Sequence, residues 1–79
     1  MRDIGKNIRD LRQQKHLTQE ELAERLFVTR QTVSNYENGR TRPDVDQILR
    51  LAEIFDTDAN AVLYGPPVPE GRKTALIQA

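Results

Sequence analysis

Arg30, Gln31 and Asn35 pose the first chemical question of this chain, in the stretch VTRQTVSNYENGR. Each ends in a planar group with paired hydrogen-bonding atoms. An arginine fork matches O6 and N7 of guanine, and a glutamine or asparagine amide matches N7 and N6 of adenine. A helix that needs only solubility commonly carries Glu–Lys pairs instead. Thr29 and Thr32 are short enough to reach a phosphate or a thymine methyl, and Arg40 and Arg42 follow just beyond. Recognition of a duplex fits this set, with the outer arginines meeting backbone charge and the helical residues meeting base edges. Taken alone, the same row also describes a solvated polar helix face.

The elements around the row decide how it is presented. Val33 and Tyr36 are spaced to pack inward, so a helix over 30–38 is expected, begun by a Thr29 cap and ended by Gly39. Before it, Thr18-Gln-Glu-Glu21 reads as a capping box, with Leu17 and Leu22 as its hydrophobic staple, opening a helix over 19–26. Ile4, Ile8 and Leu11 follow an i, i+4, i+7 pattern and predict a first helix over 3–15, stopping near His16. Asp44 with Gln47 caps a fourth helix that runs to about Phe55, with Ile48, Leu51 and Ala52 inside. Asp58 caps a short fifth helix through Tyr64, closed by Gly65. No strand-like alternation appears, so the fold class expected is all-α with five helices in residues 1–65. Pro66-Pro67 forbids helix continuation, and residues 66–79 read as an extended flexible tail or linker.

Seventy-nine residues make one small domain. No cysteine is present, which removes disulfides and thiolate metal sites and suits a reducing compartment. No run approaches the roughly 18 apolar residues of a membrane span, and the N-terminus lacks a signal-peptide pattern. The expected compartment is the cytoplasm. Net charge is zero, but it is unevenly placed. Residues 1–16 hold five basic and two acidic groups, and residues 29–42 three and one. Residues 43–64 hold one basic and five acidic groups. A chain polarised in this way offers phosphates a basic face while its far side repels them. No enzyme is expected: His16 is the only histidine, Glu20, Glu21 and Glu24 form a solvated face, and no strand leads into a glycine-rich phosphate loop. No cofactor, metal or small-molecule ligand is expected.

Two helices separated by only residues 27–29 fit a helix-turn-helix arrangement. Residues 4–65 resemble the phage-repressor and Cro-like helix-turn-helix domains of the xenobiotic-response-element family. The stretches that carry the resemblance are IGKNIRDLRQQKHLTQEELAERL, VTRQTVSNYENGRTRPD and ILRLAEIFDTDANAVLYG. It implies a five-helix lambda-repressor-like DNA-binding domain with the motif proper over 19–38. It also implies that the first, second and sixth positions of the third helix face the base edges, which are Arg30, Gln31 and Asn35 here. Thr32 joins them. Phosphates would be met by Gln19 at the front of the second helix, by Thr29, Arg40 and Arg42, and by the main-chain N–H of Asn38. The family also pairs a basic residue of the first helix with an acidic residue of the third, here Arg12 and Glu37, as a structural tie. At the turn position that the family often fills with glycine, this chain has Phe27. A bulky residue at positive φ is costly, so either another turn conformation or a Phe27 held by packing is expected.

The function expected is a sequence-specific transcriptional regulator, most simply a repressor, of bacterial or phage type. One small module covers little DNA, so two copies on a palindromic operator are expected, touching as a homodimer through helix 5 and the tail. Leu49, Ile54, Leu63 and Tyr64 are the apolar candidates for that contact. Two other readings use the same residues: a protein-interaction module of antitoxin or adaptor type, and the DNA-binding head of a longer regulator.

Overall fold

The computed structural model describes residues 3–65, and these form five helices: α1 Ile4–Gln14, α2 Gln19–Leu26, α3 Arg30–Glu37, α4 Val45–Ile54 and α5 Ala59–Tyr64. The reading of residues 66–79 as tail or linker lies outside the described residues. Every helix starts at a side-chain cap. Asp3, Thr18, Thr29, Asp44 and Asp58 each accept a backbone N–H three residues on, satisfying one of the otherwise orphaned amides of a first turn. At α2 the exchange is reciprocal, since Glu21 also accepts from the Thr18 backbone N–H at 2.9 Å. That bond, with the Thr18 side chain, holds the Glu21 carboxyl below its ordinary range. A depressed carboxylate adds stability above its unfolded pKa, and the contribution is lost as pH falls through the folded value.

Chain reversals use left-handed residues. His16 (φ 57°), Phe27 (φ 59°) and Asp56 (φ 56°) join Gly39 (φ 76°) in that region. Asp56 follows the Phe55 cap of α4 and makes the reversal without a glycine to mark it. Phe27 meets neither expectation: the turn keeps the left-handed conformation, and the residue is 82% exposed. Left-handed backbone disfavours a Cβ by about 1–2 kcal/mol, and burial of the ring does not offset it here.

The helices pack α1 on α3 and α5, α2 on α3 and α4, and α4 on α5. Each supplies a fully buried side chain: Ile8 from α1, Leu22 and Leu26 from α2, Val33 from α3, Leu51 from α4 and Val62 from α5, with Phe55 just past α4. The candidate contact residues divide. Ile54 and Leu63 pack partly buried against this core, whereas Leu49 and Tyr64 are exposed. Among the described residues no helix is long and apolar enough to cross a membrane.

Close contacts set α1 against α5 and the end of α3. Asn7 is buried and donates through Nδ2 to the Val62 carbonyl at 3.0 Å, tying α1 to α5. Gly5 lies against the end of α3, where an added Cβ would come within 2.5 Å of the Tyr36 carbonyl oxygen and 2.6 Å of that of Glu37. Those neighbours are backbone and cannot swing aside. Gly5→Ala is therefore expected to push α1 off α3 and lose about 1–3 kcal/mol of stability, measurable as a lower urea midpoint. An unchanged midpoint would mean that the helices do not approach this closely.

Candidate nucleic-acid interface

The outward row of α3 depends on how firmly its inner face is held. Val33 and Tyr36 are buried, and at the C-terminal end Glu37 is buried as well, its side chain only 3% exposed. A carboxylate in that position needs compensation. Arg12 supplies it bidentately, with Nε 2.7 Å from Oε2 and Nη2 3.2 Å from Oε1. The remaining Arg12 nitrogen, Nη1, donates to the Leu17 carbonyl at 2.8 Å. Gln19 Nε2 donates to the same Glu37 Oε1 at 3.1 Å. One carboxylate thus joins α1, the first residue of α2 and the last of α3. No buried side-chain polar atom among the described residues lacks a partner.

Gln19 does more than front a helix terminus. Its amide is oriented by Glu37, leaving the second N–H on Nε2 for an outside acceptor beside the free backbone N–H groups of the α2 first turn. Motif reading missed this three-way junction. The signal available was only the coincidence of Gln at the first α2 position with Glu at the last α3 position, and nothing in spacing says that they meet.

At the front of α3, Thr29 Oγ1 accepts the Thr32 backbone N–H at 3.1 Å, and the two hydroxyls lie 3.0 Å apart. One hydroxyl proton of the pair stays available for a ligand oxygen. Arg30 and Gln31 are exposed, and Asn35 is half-buried. Gln31 Nε2 donates to Asn35 Oδ1 at 3.1 Å, as i,i+4 geometry permits. This bond joins the two amides and uses neither Gln31 Oε1 nor the Asn35 Nδ2 protons. Arg30 and Gln19 line one open depression with Arg12 and His16. At the other end of α3, Arg42 lines a second with Gly39, Thr41 and Asp3. Arg40 and Arg42 are both exposed.

Asn38 differs from expectation in one respect. Its main-chain N–H donates to the Ser34 carbonyl at 2.9 Å, because the helical ladder continues through the cap. The next amides turn inward too, Gly39 to Tyr36 and Arg40 to Asn35. Any contribution of Asn38 to a phosphate rests on its side chain, which donates through Nδ2 to Ser34 Oγ at 3.3 Å. Among the described residues no group of three or more His, Cys, Asp or Glu is placed to hold a metal ion.

A protein-family model described as Helix-turn-helix matches residues 8–61. The HTH-type transcriptional regulator ImmR of Bacillus subtilis is 31% identical over 74 residues, which is 94% of this chain and 58% of that protein. The chain thus spans little more than half the length of that relative. The P22 c2 repressor, solved in complex with a synthetic operator, superposes with a TM-score of 0.73 at 24% identity, over 80% of this chain and 96% of that one. At that identity the likeness is one of fold. The same fold also occupies part of a longer chain, hydroxypropylphosphonic acid epoxidase from S. wedmorenis, with a TM-score of 0.73 and 28% identity over 85% of this chain but 35% of the other.

The Arg12–Glu37 pair generates a stability prediction. Arg12→Ala leaves a buried carboxylate with only Gln19 as donor and is expected to cost about 3–5 kcal/mol. The double change Arg12→Met with Glu37→Leu, which removes both charges, should cost less than Arg12→Ala alone. Urea unfolding of the two variants checks this, and a double variant worse than the single would contradict the buried-charge account.

Proposed function

The chain belongs to the helix-turn-helix family, and on that footing we propose that it is a sequence-specific DNA-binding transcriptional regulator that lays α3 in the major groove. The observation that carries the reading is the hydrogen-bonding surplus on α3. Arg30 and Gln31 are exposed, and Gln31 and Asn35 bond to each other through one donor and one acceptor, with the other amide atoms left over, on a helix whose opposite face is locked by Val33, Tyr36 and Glu37. In this reading Arg30 takes guanine and Gln31 adenine, with Asn35 and Thr32 on adjoining base edges. Gln19, Thr29, Asn38, Arg40 and Arg42 meet phosphates on either side. Arg12 and Glu37 stay structural. The relative from Bacillus subtilis is named a transcriptional regulator, which supports the same role.

Repression asks least of such a domain, because occupancy of promoter DNA excludes other proteins sterically without a second surface. Two copies on a palindromic operator, with half-sites about 34 Å apart, give the specificity that a single module lacks. In this reading helix 5, with Tyr64 exposed, forms the contact between them. The reading places the protein with the DNA in a bacterial or phage-infected cytoplasm and assigns it no reaction. The likeness to the epoxidase, limited to about a third of that chain, supports shared fold alone.

Selection of bound sequences from a random DNA pool tests the proposal and reports operator and half-site spacing together. Arg30→Ala and Gln31→Ala should each relax preference at one base pair by about 1–3 kcal/mol. Arg42→Ala should weaken all sequences alike and lower the salt slope by about 1. Enrichment of no sequence, or an unchanged motif with Arg30 and Gln31 both replaced, sinks the base-reading assignment.

A further inference from the structure

Asparagine is among the chemically labile residues, and of the four in this chain only Asn38 is followed by glycine; the others precede Ile8, Tyr36 and Ala61. With no side chain on the next residue, its backbone nitrogen can approach the asparagine side-chain carbonyl closely. That approach starts deamidation. The Gly39 nitrogen loses its proton to hydroxide and bonds to Asn38 Cγ, the Cγ–Nδ2 bond breaks, and ammonia leaves, taking a proton from water. A second water opens the resulting succinimide at either carbonyl and leaves aspartate or isoaspartate. Asn38 and Gly39 are both exposed, so hydroxide and water reach them. A Cβ built on Gly39 would meet nothing within 4 Å, so the space beside it is open.

The folded conformation holds this reaction off. Ring closure needs the Gly39 nitrogen nearly eclipsed with Cβ of Asn38 about the Cα–C bond, and the observed ψ of −4° is far from that. Turning ψ breaks two bonds, from the Gly39 N–H to the Tyr36 carbonyl at 3.2 Å and from the Arg40 N–H to the Asn35 carbonyl at 2.9 Å. The leaving nitrogen is held as well, since Asn38 Nδ2 donates to Ser34 Oγ at 3.3 Å. All these bonds belong to the last turn of α3, beside Glu37, which Arg12 grips at 2.7 Å. We propose that Asn38 is a deamidation site that becomes reactive when the last turn of α3 frays, and that the Arg12–Glu37 pair sets how often it frays. Local openings of this kind take less free energy than global unfolding. Conversion places a carboxylate at position 38, among the residues assigned above to phosphates. That consequence rests on the DNA-binding reading: a chain whose α3 end has opened loses affinity irreversibly.

Mass spectrometry provides the test, on the full chain aged at mildly alkaline pH without DNA and then cut with trypsin to release residues 31–40. The amide-to-acid mass gain is expected at Asn38 and not at Asn35, about tenfold or more slowly in the folded chain than in urea. Arg12→Lys keeps the charge but loses the two-pronged grip, and should speed conversion in the folded chain several-fold. Ser34→Ala, which removes only the Oγ acceptor, should speed it too. Val62→Ala weakens the core at α5 and lowers the urea midpoint, yet should leave the folded-state rate unchanged. A folded chain that never converts, equal rates folded and in urea, or equal acceleration by Arg12→Lys and Val62→Ala each overturn the proposal. Asn38→Asp, made directly, should bind the selected DNA several-fold more weakly, and equal affinity overturns the consequence for binding. A parent that binds no DNA fails the reading of α3 and leaves the chemistry at Asn38 standing.

Discussion

The burial of one carboxylate constrains the rest of this domain. Glu37 lies inside, and an unpaired charge there would be strongly destabilising. Arg12 must therefore come from α1 and Gln19 from α2, at 2.7 Å and 3.1 Å. Those requirements fix the mutual placement of three helices more tightly than apolar packing, which tolerates some sliding between faces of similar volume. Gly5 serves the same end by letting α1 approach the end of α3 with nothing between them but backbone. Glu37 anchors α3 at its C-terminal end, while Arg30 and Gln31 stand exposed at the other.

That arrangement separates two demands that otherwise conflict. Binding requires exposed, partly unsatisfied polar atoms, and folding disfavours them. On α3 the conflict is resolved by face and by end. Val33 and Tyr36 go inward, Glu37 is satisfied at the C-terminus, and Thr29 satisfies Thr32 at the N-terminus. Arg30 and Gln31 remain outside, with Asn35 half-buried beside them. Gln19 spends one amide proton on Glu37 and keeps the other. Phe27 shows the opposite compromise, a locally unfavourable residue kept on the surface at a turn whose geometry does not depend on it.

Much of this was legible beforehand because it is local. Caps act over three residues, so Thr18, Thr29, Asp44 and Asp58 located four helix starts, and Glu21 marked the capping box. Periodicity placed Ile8, Leu11, Leu51 and Phe55 inside. Helix ends were less legible. Asp56 takes a left-handed conformation without the glycine that would have announced it, which a short polar side chain tolerates. The Asn38 amide is spent on the Ser34 carbonyl, which local spacing does not reveal: whether a helical ladder stops or runs one residue further depends on the chain beyond it.

The sequence by itself determined which residues lie on the outward row of α3, since helical spacing and side-chain type suffice for that. It also determined the number and order of the helices, because capping and apolar period are short-range. Only the tertiary structure decided that Gln19 meets Glu37, that Ile54 and Leu63 pack on the core while Leu49 stays open, and that Phe27 stands exposed under Arg50. These depend on where helices far apart in the chain cross, which follows from how the whole set of side chains fills one volume and from no single stretch of it.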